Sequence, residues 1–210
     1  MAVARQTFRL NFLSDIAAMF SASIAIRIPT SYFLTACICL LSPDVSAQET
    51  FVWIKGKDQV IVAGGWMLNG QKVKYWKYYY PDETLKSEGH FDKTKTGPWR
   101  HYYENGKLSS IGNYVNGQKD GYWKTYHPNG KMKSEGHFNA GLRSDWWKNY
   151  DSLGILESEG SFYRDKKEGL WKFYSRNILL EEGSFYNDRK VGSWRKYDST
   201  GVLIQVLEHD

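Results

Sequence analysis

The sequence predicts an all-β protein: an elongated, twisted antiparallel sheet, a meander of about six tandem β-hairpins of 23–24 residues. Three observations predict it. Tryptophan recurs on a fixed period. Glycine recurs at a fixed offset from it. The 210 residues hold 16% aromatics and 19 Gly but only 5 Pro. Strands favour aromatic side chains, and glycine supplies the positive φ of tight turns. A composition of 41% apolar residues excludes a disordered chain.

Residues 1–47 differ from the rest, because all 19 Gly and all 9 Trp lie beyond them. The run Tyr32–Leu41 is nearly all apolar, follows Arg27 and precedes the small-residue site Val45-Ser46-Ala47. This predicts a secretory signal peptide cleaved after Ala47, with a more ordinary length if translation starts at Met19. The run is too short to span a bilayer. Leu34-Thr35-Ala36-Cys37 offers an alternative, a lipoprotein anchored through Cys37. Either way the protein is expected to be exported, to the periplasm, the cell surface or beyond. Both cysteines, Cys37 and Cys39, fall in this segment, so the mature chain folds without disulfides. Three basic and two acidic residues go with it, which leaves 25 against 21, a net +4.

Residues 48–75 read as a degenerate leading hairpin and cap, with Trp66 two residues after Gly64. Residues 76–210 hold the repeat. Trp76, Trp99, Trp123, Trp147, Trp171 and Trp194 are 23 or 24 residues apart. One residue later stands a cation: Lys77, Arg100, Lys124, Lys148, Lys172, Arg195. Three residues later stands Tyr79, Tyr102, Tyr126, Tyr150, Tyr174 or Tyr197. Gly89, Gly112, Gly136, Gly160 and Gly183 follow, each with an aromatic two residues on.

Each unit reads as one hairpin, a Trp strand and a Gly strand. Asn105-Gly106 and Asn129-Gly130 are predicted as two-residue type I′ tips, since both positions of that turn need φ > 0. The register then sets Trp99 opposite Gly112 and Trp123 opposite Gly136. It also sets Lys77, Lys124, Lys148 and Lys172 opposite Glu88, Glu135, Glu159 and Glu182, which predicts cross-strand ion pairs. Each tryptophan is expected to lie over its hairpin glycine. Between units run polar stretches, 116–121 and 164–169, read as loops. Alternation gives one face to Trp, Gly and Phe/Tyr and the other to the cation, the tyrosine and the glutamate. The first is the expected core. The second, with its six tyrosines and six cations, is the candidate binding face. At the end, Leu207 replaces the glycine and His209 the aromatic, as a cap would. The fifth unit is one residue short at Ser175-Arg176-Asn177-Ile178, which predicts a tighter or irregular turn.

The unit Gly-Tyr-Trp-Lys-Thr-Tyr-His-Pro-Asn-Gly-Lys-Met-Lys-Ser-Glu-Gly-His-Phe, 121–138, resembles a MORN repeat variant. The resemblance covers roughly residues 66–205. It implies stacked hairpins in an elongated sheet; many bacterial members are regarded as antitoxins of toxin–antitoxin systems, and the MORN repeats of eukaryotes are associated with membrane tethering, phosphoinositide contact and scaffolding.

The residues point away from catalysis. Ser87, Ser110, Ser134 and Ser158 recur once per unit, which marks them as structural. No Gly-x-Ser-x-Gly elbow or phosphate loop is present. His90 and His137 sit two units apart, about 19 Å at ~4.8 Å per strand, too far to share a metal. No catalytic, cofactor or metal residues are therefore assigned. The cations are largely answered by glutamates, which argues against nucleic acid. Three partners remain: a protein bound across several units, a glycan stacked on the aromatic ladders, or an anionic membrane met by the repeated lysines. The oligomeric state is open, since a sheet of 13–14 strands exceeds the usual ~10 and leaves an apolar face to cover.

Overall fold

The computed structural model describes residues 48–56 and 58–210. The expected signal peptide over 1–47, the start at Met19 and the lipidation site at Cys37 lie outside them. Two strands lead, β1 (Thr50–Lys55) and β2 (Ile61–Leu68). Six units follow, each a Trp strand and a Gly strand, except that the last has Leu207 in place of the glycine. They are β3 (Gln71–Tyr79) with β4 (Leu85–Asp92), β5 (Thr94–Tyr102) with β6 (Leu108–Val115), and β7 (Gln118–Tyr126) with β8 (Met132–Asn139). Then come β9 (Leu142–Tyr150) with β10 (Leu156–Tyr163), β11 (Lys166–Ser175) with β12 (Ile178–Tyr186), and β13 (Arg189–Tyr197) with β14 (Leu203–His209). All 14 lie in one open antiparallel sheet in chain order.

The hairpin register is the expected one. Trp99 pairs with Gly112, Trp123 with Gly136, and Lys124 with Glu135. Every Gly strand, however, has two Trp strands as neighbours. Gly89 pairs with Trp76 in its own hairpin and with Trp99 of the next. The indole that covers a glycine comes from the next unit. A Cβ on Gly89 would strike Trp99, and one on Gly136 would strike Trp147. Gly65, Gly112, Gly160 and Gly183 stand in the same relation to Trp76, Trp123, Trp171 and Trp194. The expectation that each tryptophan covers its own hairpin glycine is thus corrected: the contact joins units.

A bulge makes room for it. Two residues before each tryptophan the backbone turns to positive φ, from 56° at Lys74 to 69° at Gly121. There the inter-unit register shifts, for instance between Gly160 and Ser161. A bulge interrupts the ladder and leaves a carbonyl without a strand partner. The indole takes it. Trp99 Nε1 donates to His90 O at 3.1 Å, Trp123 to Asn113 O at 3.0 Å, and Trp171 to Ser161 O at 2.9 Å. Bare glycine, bulge and indole N–H therefore form one device. It buries a large ring and satisfies the polar group that the bulge exposes.

The two kinds of turn are exchanged relative to expectation. At the Asn105-Gly106 tip, Gly106 N donates to Tyr103 O at 2.9 Å and Tyr103 N to Lys107 O at 2.9 Å. Only Gly106, at φ 76°, is left-handed there. This is the longer tip of a type I turn closed by a glycine bulge. Positive φ at both central residues occurs instead between units, at Asn116-Gly117 and Ala140-Gly141, and at Arg164-Asp165 inside the other stretch read as a loop. Those stretches are two-residue turns with strand on either side. The shortened fifth tip is tighter, as expected, with Arg176 at 49° and Asn177 at 66°.

The core is one layer of rings on one face. Trp76, Trp99, Trp123 and Trp194 are fully buried. From Trp99 onwards each ring is met edge-on by the aromatic two residues after the glycine that it covers, such as Tyr114 on Trp123 at 5.2 Å and Phe185 on Trp194 at 5.0 Å. Edge-to-face pairs of this kind contribute ~0.5–1.5 kcal/mol beyond area burial. No second layer of secondary structure covers them among the described residues.

Candidate functional site: two faces of one sheet

The core face is roofed by a second row of cations, four residues before each tryptophan. Lys95 Nζ lies 4.3 Å from the Trp99 ring centre, Lys119 4.5 Å from Trp123, and Lys190 3.8 Å from Trp194. Lys72, Arg143 and Lys167 lie over Trp76, Trp147 and Trp171 in the same way. Their stems cover the rings while their charges reach water. Sequence reading missed this row, because Lys119 and Lys167 fell in stretches taken for loops. The signal was present: a cation recurs at that offset in all six units. Burial lowers the pKa of Lys95, Lys119 and Lys167, and neighbouring members of the row add to the effect on Lys95 and Lys167. Arg143 is answered by Asp165 at 3.0 Å and Lys190 by Glu181 at 2.7 Å. Among the described residues Lys95 and Lys119 have no carboxylate within 4.0 Å.

His101 sits between them. Its ring stacks on Trp99 and Trp123 with centres 5.9 and 6.4 Å away. Its Nε2 is buried without a hydrogen-bond partner. Burial, then Lys95 and Lys119, push its pKa down to about 4.

On the opposite face the glutamates are held by tyrosines rather than by the expected cations. Tyr102 donates to Glu88 at 2.8 Å, Tyr150 to Glu135 at 2.7 Å, Tyr174 to Glu159 at 2.8 Å and Tyr197 to Glu182 at 2.7 Å. Each bond again joins one unit to the next. Burial and the Glu88 contact raise the pKa of Tyr102 to about 12. Burial pushes Glu135 up, yet hydroxyls from Tyr122 and Tyr150, with Lys124 and Lys148, outweigh it and hold the group below its ordinary value. The Lys–Glu pairs within hairpins are opposite in register but do not meet. Among the described residues, only Arg100–Glu88 at 4.0 Å and Arg195–Glu182 at 3.5 Å join this cation row to the glutamates, both between units. A lysine opposite its glutamate is outcompeted by a tyrosine hydroxyl that arrives from the next strand. Lys77, Lys124, Lys148 and Lys172 therefore keep their charges clear of carboxylates within that distance. Tyr79 and Tyr126 have no glutamate to meet, because Gly64 and Ile111 occupy that position in the preceding unit.

This face also carries an apolar ridge. The residue just before each repeat tryptophan points away from the core. Tyr122, Trp146 and Leu170, in three consecutive units, are 44%, 43% and 44% exposed. Beside Ile111, an open hollow of about 430 Å³ is lined by Pro98, Asn113, Tyr122, Lys124 and Tyr126, among others. Farther along, Phe51, Trp53 and Trp66 make an exposed cluster with centres 5.2 and 5.5 Å apart.

Among the described residues no three His, Cys, Asp or Glu side chains are grouped as metal ligands would be. The buried tryptophans offer no free ring face to a sugar. Three consecutive units, residues 72–93, 95–116 and 119–140, match the MORN repeat variant family. Each matched span opens on a roofing lysine, Lys72, Lys95 or Lys119, and the same geometry continues to β14. Comparison with curated proteins gave no match.

Proposed function

We propose that this protein, built from MORN repeat variants, is a non-enzymatic scaffold that binds a protein partner across several units. The observation that carries the reading is the ridge of Tyr122, Trp146 and Leu170, exposed at one repeat position in three successive units. Large exposed apolar side chains in a contiguous row mark interaction surfaces, and tryptophan and tyrosine are the usual anchors. The clear cations Lys124, Lys148 and Lys172 flank the ridge and favour an acidic rim on the partner. The secretory signal read from residues 1–47 supports a partner in the envelope or outside the cell. An antitoxin-like or immunity-like role is one form this takes.

The test is affinity capture from the native envelope fraction with wild type and with the double variant Trp146→Ser, Leu170→Ser. The partner is expected with wild type and lost with the variant, while the melting temperature stays within a few degrees. Identical capture by both would remove the ridge from the account.

A second reading has its own observation, the roofing cations that lack carboxylates. Lys95 and Lys119 suit an anionic membrane surface. Co-sedimentation with phosphatidylglycerol vesicles at low salt, lost in Lys95→Gln, Lys119→Gln, would support it. No co-sedimentation at low salt removes it.

A further inference from the structure

Among the described residues β14 is the last strand of the sheet, and no strand pairs with its outer edge. Strand edges offer a row of unpaired N–H and C=O groups, and proteins protect them with charges, proline or cover. Residues 202–207 read Val-Leu-Ile-Gln-Val-Leu, with no charge and no proline. Val202, Leu203, Ile204 and Val206 are 59%, 48%, 64% and 50% exposed.

The edge cannot take a seventh unit of the same kind. A following Trp strand would need a bare glycine for its indole, as Gly183 serves Trp194. Leu207, which pairs with Trp194, fills that position. Head-to-tail growth in the Trp-over-Gly mode is therefore blocked.

The same residues are self-complementary. About Gln205 the sequence is palindromic in character, Leu-Ile-Gln-Val-Leu. An antiparallel two-fold pairing centred there sets Leu203 opposite Leu207 of the second copy and Ile204 opposite its Val206. Apolar residues meet on both faces, which is the pairing that stabilises neighbouring strands. Gln205 meets its own copy, and two amides can donate and accept reciprocally, so one polar pair fixes the register. Glu208 falls opposite Val202, so no like charges oppose each other.

We infer that β14 pairs with β14 of a second copy, and that the working protein is a two-fold dimer joined through a sheet continuous across both copies. An isologous contact of this kind closes on itself and does not polymerise. It leaves the ridge at Tyr122, Trp146 and Leu170 free in each copy.

The test uses the full chain with Cys37 and Cys39 changed to Ser. Light scattering after size exclusion is expected to give twice the mass of one 24.4 kDa chain. Ile204→Lys with Val206→Lys is expected to raise the dimer dissociation constant about tenfold or more. Gln205→Cys is expected to cross-link to its own copy under mild oxidation, since opposed strand residues lie ~4.5–5.5 Å apart at Cα, within disulfide reach. Leu203→Cys alone is expected to stay uncross-linked, and Leu203→Cys with Leu207→Cys to cross-link. A monomeric wild type overturns the inference. So does a dimer that the lysine pair leaves intact, or a Gln205→Cys protein that cross-links no better than Leu203→Cys.

Discussion

Trp146 and Trp147 are neighbours in the chain and opposites in environment. Trp147 is 4% exposed, with its indole N–H on His137 O at 3.0 Å and its ring over Gly136. Trp146 is 43% exposed on the other face. One residue of strand alternation separates a side chain that holds two units together from one left free to bind. The difference teaches how a single-layer sheet can be stable. The buried tryptophans of the repeat are gathered on one face, where rings, bare glycines and lysine stems close over each other. The opposite face needs only a ladder of Tyr–Glu bonds, and keeps its apolar ridge.

The comparison can be broken most forcefully at a glycine. Gly136→Ala places a methyl group where the Trp147 indole lies, so it should destabilise the protein by about 1–3 kcal/mol, as overpacking does. The urea midpoint checks it. An Ala at Gly97, which has open space but φ 63°, should cost less, about 1 kcal/mol for backbone strain alone. If both variants cost the same, the close approach of indole and glycine is not what the glycine is kept for.

The opposite face should respond more weakly. Tyr150→Phe removes one of the two hydroxyls on Glu135 and should cost about 1 kcal/mol. Glu135 is held below its ordinary pKa, so its contribution is present above that ordinary value and is lost as pH falls through the folded one. The variant should show a smaller loss on acidification, measured as the difference in urea midpoint between pH 7 and pH 3.

At neutral pH the smallest expected effect lies at His101, whose contribution shows only on acidification. Its pKa is depressed to about 4, so the unfolded chain binds the proton more readily. Stability should therefore fall as pH drops from about 6.5 towards 4. Phe173 occupies the same repeat position and stacks on Trp171 with centres 6.0 Å apart. His101→Phe should thus be accommodated and should flatten that part of the profile. Chemical denaturation at half-unit pH steps reads it, and an unchanged slope would show that His101 is not the group responsible.

Much of this was legible because period and parity are properties of the chain alone. The spacing of Trp99 and Gly112 set the hairpin register, and alternation put Trp146 and Trp147 on opposite faces. What stayed hidden depends on the second neighbour of each strand. Sequence order names the hairpin partner of Gly89, Trp76, but not the competing claim of Trp99. The same blindness hid the Tyr–Glu bonds between units and led to ion pairs within hairpins that do not form. The turn types were exchanged for a local reason. Asn105-Gly106 and Asn116-Gly117 are the same dipeptide, and only the pairing on either side decides which becomes type I′. The roofing lysines were lost in the same stretch, since polar residues before a turn look like loop until the strand is seen to run through them.

Hydrogen exchange of the nine indole N–H groups, followed by NMR at pH 7, tests the division between the faces most directly. The six repeat tryptophans, whose indoles bond to carbonyls of the preceding strand, should exchange only with global unfolding. Trp53, Trp66 and Trp146 should exchange at rates near those of free indole. A protected Trp146, or a repeat indole that exchanges as fast as Trp146, would contradict the account.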